Sequence, residues 1–355
     1  MESHIKINEI ISAFNLPGTV PEIKHFGNGL INSTWLLVYP QGNFILQKVN
    51  NTIFKHPEAI AANVRMIADF LEEKHPQYLF VKPIKTKDKK DLIHVEEGYF
   101  RVYPYVANSH SIDVVENPQQ AFEAASMFGK FTKMISGFNV AELRITLPDF
   151  HNLSLRFKQF TDVLKNGNIS RIQQSKELID FTIGNKSIVD IYEKILQNPS
   201  FKLRVTHHDT KISNVLFNDQ DKGLCVIDLD TVMPGYFISD VGDMIRTYLS
   251  PVSEEEKDFS KIEIREEYFT AIWKGYMSEM EDELSSEEKD HFIYAGKFMI
   301  YMQAIRFLTD YLGNDIYYKI KFEEHNLARA GNQIMLLKKL IEHKDVLQKI
   351  INIKP

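Results

Sequence analysis

The stretch from Arg204 to Asp228 constrains this chain more than any other. Four polar residues, His207, Asp209, Lys211 and Asn214, stand at close spacing directly before an apolar run, Val215-Leu216-Phe217. Turn formers follow from Asn218 to Gly223, then a second apolar run, Leu224-Cys225-Val226-Ile227, which ends on Asp228. Two short apolar runs around a polar connection containing glycine spell a β-hairpin. A hairpin brings its outer ends together, so Asn214 and Asp228 are expected side by side, with Asp209 just upstream. An amide oxygen beside a carboxylate is a hard-oxygen donor set suited to Mg²⁺. Asp and Asn are common in turns for backbone reasons alone. The diagnostic feature is the full set at these spacings, ahead of a strand-turn-strand that ends in Asp.

The flanking chain changes character part-way along. Residues 7–14 read as a short helix with Ile7, Ile10, Ile11 and Phe14 on one face, ended by Leu16-Pro17-Gly18. Residues 23–38 read as two strands around a Gly/Asn turn, and 44–49 as a third strand. A helix over 57–74 carries Ile60, Val64, Ile67, Ala68 and Leu71 on one face. Residues 81–84, 92–95 and 99–106 are further strand candidates. Beyond them the pattern is helical, over 118–136, 153–164, 176–196, 240–248, 261–277, 286–312 and 324–349, interrupted by the hairpin. Strands first and helices later imply an α+β fold in two lobes, 1–105 and 106–355, joined near Val102 to Val106.

Bulk properties exclude some partners. The 355 residues are 44% hydrophobic, enough for two substantial cores. The formal charge of -6 comes without a dominant basic stripe, which argues against nucleic acid. No run approaches the length of a membrane span, and Met1 to Lys6 lacks a signal pattern. The single cysteine, Cys225, cannot form an internal disulfide. The expectation is a cytoplasmic chain with no membrane contact and no obligate protein partner.

The spacing His207-x-Asp209, Asn214 and Ile227-Asp228 resembles the catalytic core of protein-kinase-like phosphotransferases, and more narrowly the aminoglycoside/choline kinase family. The stretches Gly27-Asn28-Gly29-Leu30-Ile31-Asn32, Phe44 to Gln47, Asp228 to Gly235 and Arg306 to Leu312 extend the resemblance toward the N-acetylhexosamine 1-kinases of that family. The resemblance implies a bilobal kinase-like fold that uses ATP and Mg²⁺. Phosphoryl transfer needs an oriented hydroxyl, a neutralised phosphate and in-line approach. Asp209 would take or orient the acceptor proton, Lys211 would meet the transferred group, and Asn214 and Asp228 would hold Mg²⁺. His207 is expected to pack and hold the loop, and Asp240 to brace it.

For the nucleotide, Gly27, Asn28, Gly29 and Asn32 would lie near the phosphates, and Arg101, Tyr103 and Tyr105 along the connector near adenine. One departure stands out. The third kinase strand normally ends in a lysine that pairs with a helix glutamate, whereas here Gln47 occupies that place, with Lys48 next and Asn63 or Arg65 on the helix. Alternation turns Lys48 to the other face, so either Gln47 meets phosphate as a neutral donor, the favoured expectation, or a bulge lets Lys48 do so.

On the acceptor side, Asp230, Thr231, Arg306, Asp310, Tyr317 and Tyr318 join Asp209 as candidate sugar contacts, because a pyranose needs directional polar groups and a flat aromatic face. The implied partners are ATP and an N-acetylhexosamine phosphorylated on its anomeric hydroxyl. Two alternatives stand beside this reading: a kinase of another small hydroxylated metabolite or aminoglycoside, and a nucleotide-binding pseudokinase.

Overall fold

A computed structural model describes residues 7–27 and 31–352. The first part is built on a five-stranded antiparallel sheet. Its strands are β1 (Glu22–His25), β2 (Ser33–Tyr39), β3 (Gly42–Val49), β4 (Ile93–Val95) and β5 (Gly98–Pro104), in the order β1-β2-β3-β5-β4. Period-two alternation gives the sheet two different faces. Trp35, Leu37, Tyr39, Leu46, Phe100 and Val102 are buried together against Ile10, Ile11 and Phe14 beside helix α1 (Ile7–Ser12). Register puts Thr34, Gln47 and Arg101 on the opposite face, with Ile45 and Tyr103 beside them.

Helix α2 (Pro57–Lys74) begins with proline in its first turn, where no intrahelical N–H is lost. Its apolar stripe, Ile60, Val64, Ile67 and Leu71, packs into the larger core of the helical part rather than into the small sheet core. Residues 81–84 form no strand. Pro83 has no N–H to give a ladder, and Ile84 alone donates to the Val102 carbonyl, at 2.7 Å.

Strand β6 (His110–Ser111) already belongs to the second part, where it lies against the hairpin strands β8 (Val215–Phe217) and β9 (Gly223–Val226). A separate pair joins β7 (Arg204–Thr206) to β10 (Met233–Gly235). Around these strands pack α3 (Pro118–Met134), α4 (Leu153–Asn166), α5 (Ile169–Gln174), α6 (Lys176–Gly184), α7 (Ser187–Gln197), α8 (Phe237–Tyr248), α9 (Glu266–Met280), α10 (Ser286–Asp290), α11 (Phe292–Leu312), α12 (His325–Glu342) and α13 (Lys344–Asn352).

Three long expected helices are each two. Breaks fall at Gly184-Asn185, at His291 and at His343, where local backbone bonds end one helix before the next begins. Helix α11 is buried on nearly every side, which its almost continuous apolar sequence dictates. Helices α3 and α9 approach closely because Gly275 has no Cβ to strike the Phe122 carbonyl. Among the described residues no helix is long and apolar enough to cross a membrane.

Candidate active site

The hairpin forms with Val215 opposite Val226. Ile227 N donates to the Asn214 carbonyl at 2.9 Å, which closes the outer ends and brings Asn214 beside the backbone that carries Asp228. Asp228 takes a left-handed conformation, φ 58° and ψ 62°, unusual for a residue with a Cβ and typical of over-determined functional positions. The residue is solvent-exposed, yet enough protein surrounds its carboxylate to penalise the charge. Burial first, then Asp230 and Asp209, raise its pKa to about 7. A cation beside it would reverse that shift.

Among the described residues no cluster of three or more His, Cys, Asp or Glu side chains is arranged to enclose a metal. Two oxygen donors, from Asn214 and Asp228, suit an ion that fills its other positions with phosphate oxygens and water, as Mg²⁺ does. Asn214 Nδ2 donates to the Asp209 carbonyl at 2.8 Å, which leaves its amide oxygen for such an ion.

The loop between β7 and the hairpin is held from below by helix α8. Asp240 accepts from His207 N at 3.0 Å and from His208 N at 2.7 Å. Burial lifts the Asp240 pKa to about 6, against the pull of His207 and those two amides. Asp243 accepts from Thr210 N at 2.9 Å, Arg246 donates to Asp243, and the Tyr248 hydroxyl donates to the Thr210 carbonyl at 2.6 Å. Asp243, Arg246 and Tyr248 were not singled out from the sequence, although Asp240, Asp243 and Arg246 recur at helical spacing on one face.

His207 is fully buried. Its Nε2 donates to the Ile227 carbonyl at 2.9 Å, and its ring meets the edges of Phe128 and Phe131. It holds the loop and does not face the cleft. Thr206 gives its single hydroxyl proton to Met233 O, so His208 Nε2 must donate to Thr206 Oγ1, at 2.8 Å. His208 Nδ1 is then free to accept from His151 Nδ1–H, 3.3 Å away. A Cβ on Gly235 would strike both Thr206 and the His208 ring, so glycine is required where β10 passes.

With its backbone fixed, Asp209 presents its carboxylate 3.1 Å from Lys211 Nζ. Burial raises the Asp209 pKa, but Lys211 and His207 outweigh it and the net shift is downward. The Lys211 pKa is raised: burial opposes its charge, while Asp209 and Asp243 favour it. An ionised carboxylate beside a charged ammonium can accept a hydroxyl proton and neutralise a transferring phosphoryl group.

Several expected ligand contacts are engaged elsewhere. Arg101 is buried, 3% exposed, and lies under the sheet face instead of along the connector; its guanidinium contacts Gln47 and Asp230. Asp230, 2% exposed, pairs with Arg101 through one oxygen and accepts from Asn32 Nδ2 at 2.8 Å on the other, so both oxygens have partners within the protein. Asn32 is consumed by that bond and by the Asn50 amide. The Thr231 hydroxyl donates to the His207 carbonyl at 2.6 Å. Asp310, 8% exposed, accepts from Tyr317 N, Tyr318 N and Asn326 Nδ2, and so ties down the loop after α11. Polar residues near a site are as often loop fasteners as ligand contacts, and one-dimensional spacing does not separate the two.

Gln47 shares its face with Thr34 and Arg101, whereas Lys48 turns away, its Nζ 5.9 Å from the Phe100 ring centre. Neither Asn63 nor Arg65 meets Gln47. Asn63 bonds Arg144 and the Val232 carbonyl, and Arg65 pairs with Asp91. Gly27 has φ 75°, and Asn28 and Gly29 lie outside the described residues. Tyr103 stands beside Arg101, with the guanidinium 5.2 Å from its ring centre, and Tyr105 N bonds Asn43 O where β5 ends. Arg306 lies 6.0 Å from the Tyr317 ring and 5.6 Å from that of Tyr318. Tyr317 is 73% exposed.

Residues 22–269 match the phosphotransferase enzyme family designated APH. The chain belongs to that family. Its fold is shared by solved structures of low sequence identity. An aminoglycoside phosphotransferase from Alicyclobacillus acidocaldarius subsp. acidocaldarius DSM 446 is 10% identical, with a TM-score of 0.66 over 99% of this chain and 98% of that one. A microcompartment-associated aminopropanol kinase is 11% identical, with a TM-score of 0.62 over 96% and 97%. A spectinomycin phosphotransferase, solved in its AMP-bound complex, is 12% identical, with a TM-score of 0.52 over 94% and 93%.

Proposed function

We propose that this phosphotransferase moves the γ-phosphoryl group of ATP, with Mg²⁺, to the anomeric hydroxyl of an N-acetylhexosamine and yields the sugar 1-phosphate. The observation that carries the kinase chemistry is the convergence at the hairpin. Asp209 stands 3.1 Å from Lys211, and Asn214 and Asp228 are brought together by the closed strand pair. Asp209 orients and takes the hydroxyl proton, and Lys211 faces the phosphoryl oxygens. Asn214 and Asp228 would hold Mg²⁺, which supplies charge neutralisation at the β- and γ-phosphates. A neighbour of this fold solved as an AMP-bound complex supports a nucleotide ligand.

The acceptor is read from Arg306, Tyr317 and Tyr318. An aromatic ring and a fork of donors suit a pyranose face and its hydroxyl and acetamido oxygens. A guanidinium at that place opposes the quaternary or primary ammonium of a choline-like or amino-alcohol acceptor. Turnover of ATP with a panel comprising GlcNAc, GalNAc, glucose, choline, aminopropanol and an aminoglycoside tests the reading. The two N-acetylhexosamines are expected to be used best. Preference for a cationic acceptor would refute the sugar assignment, and tight Mg-ATP binding without turnover on any acceptor would favour a pseudokinase.

A further inference from the structure

Strand β3 brings no lysine to the cleft face, and helix α2 sets neither Asn63 nor Arg65 against Gln47, so the source of positive charge beneath the phosphates is not evident from the sequence. The structure supplies it from another strand. Gln47 and Arg101 are directly opposite on β3 and β5, so their side chains share a face. Arg101 Nε is 2.9 Å and its terminal nitrogen 2.5 Å from Gln47 Oε1. The same terminal nitrogen is 2.5 Å from Asp230 Oδ1, and Asn32 holds the other Asp230 oxygen.

The chemistry of these groups fixes their orientation. A guanidinium has five N–H donors and no acceptor. The Gln47 atom that faces it must therefore be the carbonyl oxygen, and the amide N–H₂ must point away. That nitrogen has one contact, Thr34 Oγ1 at 3.5 Å, the outer limit of a hydrogen bond, so donor capacity is left over. Arg101 is enclosed, whereas Gln47 is half-buried and is the member of the pair that meets the cleft. Asp228, the metal-side carboxylate, lies near enough to feel the Arg101 charge.

We infer that Arg101 is a positioning residue: anchored on Asp230, it serves as the buried cation of the site and locks Gln47 so that its amide N–H₂ faces the nucleotide phosphates. The inference rests on the phosphotransferase reading. It makes the two positions interdependent. A lysine at 47 would stand against the Arg101 guanidinium and be repelled, yet with Arg101 removed the same lysine would find Asp230 as its partner.

The test is direct binding of Mg-ATP and of adenosine to the wild type and to Gln47→Leu, Gln47→Lys, Arg101→Met and the double variant Gln47→Lys/Arg101→Met. Gln47→Leu and Arg101→Met should each weaken Mg-ATP about tenfold or more, the range for a hydrogen bond to a charged group, with adenosine affinity unchanged. Gln47→Lys alone should also weaken Mg-ATP, and adding Arg101→Met should restore it toward the wild type. Misfolding would reduce adenosine binding as well and would not be repaired by a second substitution. An unchanged ratio of Mg-ATP to adenosine affinity in Arg101→Met would overturn the inference. If that variant does not fold, wild-type affinity in Gln47→Lys or Gln47→Leu would overturn it equally. Failure of the wild type to bind Mg-ATP would defeat the phosphotransferase reading and this inference together, whereas tight wild-type binding with unaffected variants defeats this inference alone.

Discussion

The loop from His207 to Asn214 stands out in the sequence by polar residues at motif spacing, and the segment from Arg306 to Tyr318 by clustered polar and aromatic residues; the fold treats the two differently. The loop is tied by Asp240, Asp243, Tyr248 and Thr231 through nearly every backbone group it exposes inward. The segment is fastened by Asp310 on the Tyr317 and Tyr318 amides and by Asp315 on Arg171 and Asn326, yet it leaves Tyr317 and Ile316 largely in solvent. Preorganisation of the loop fits a reaction whose geometry must not vary. The looser segment fits substrate selection, where different hydroxylated molecules are told apart by a few side chains. The family can therefore be read with one level of resolution for the chemistry and a coarser one for the acceptor.

The largest effect that would break this comparison belongs to Asp209. Asp209→Asn keeps shape and removes the proton acceptor, so turnover should fall about a thousandfold with Mg-ATP affinity retained. Near-normal turnover by steady-state kinetics would remove Asp209 from its role. Next is Asp240→Ala, which strips the buried His207 and His208 amides of their acceptors. Each unsatisfied N–H costs about 1–3 kcal/mol, so chemical denaturation should show a loss of a few kcal/mol together with a large drop in turnover. A stable, active Asp240→Ala would mean that the loop is not held from α8. On the acceptor side, Arg306→Ala should raise the acceptor KM about tenfold and leave the KM for ATP unchanged. Equal effects on both substrates would show that Arg306 does not separate acceptor from nucleotide.

A smaller test uses pH. Burial holds the His208 pKa down, from 6.5 to about 4. The unfolded chain therefore binds this proton more readily, and the stability contributed by neutral His208 is present above pH 6.5 and is lost as pH falls toward 4. Between pH 7 and pH 5 that loss is on the order of 2 kcal/mol. Denaturation of the wild type and of His208→Gln at the two pH values should differ by about this amount, and parallel pH dependence in both would contradict the neutral buried ring.

How much of this was legible in the sequence follows from distance along the chain. The hairpin and the turning of Gln47 and Lys48 to opposite faces are local consequences of strand alternation and short turns, and they stand as expected; the bracing by Asp240, 33 positions from His207, is a tertiary contact that only the family resemblance implies. No proline marks the breaks in the long helices at His291 and His343, whereas the break at Gly184-Asn185 does carry a helix-stop pair. The expectation that Arg101 lies along the connector rests on fold-level analogy. Its partner Gln47 lies 54 positions away and Asp230 farther still, and the register that joins them is a tertiary fact. Asp230, Thr231 and Asp310 have the right chemistry for a sugar, but only burial and partners show that the fold has already used them. His151, which contacts His208, had no motif to mark it.

Transfer of phosphate to an anomeric hydroxyl is decided by phosphorus NMR of the product formed from ATP and an N-acetylhexosamine. A new phosphorus resonance coupled to the anomeric proton, appearing together with ADP, is the predicted result. A phosphate coupled to the protons of another sugar carbon, or ATP bound with no sugar phosphate formed, would contradict it.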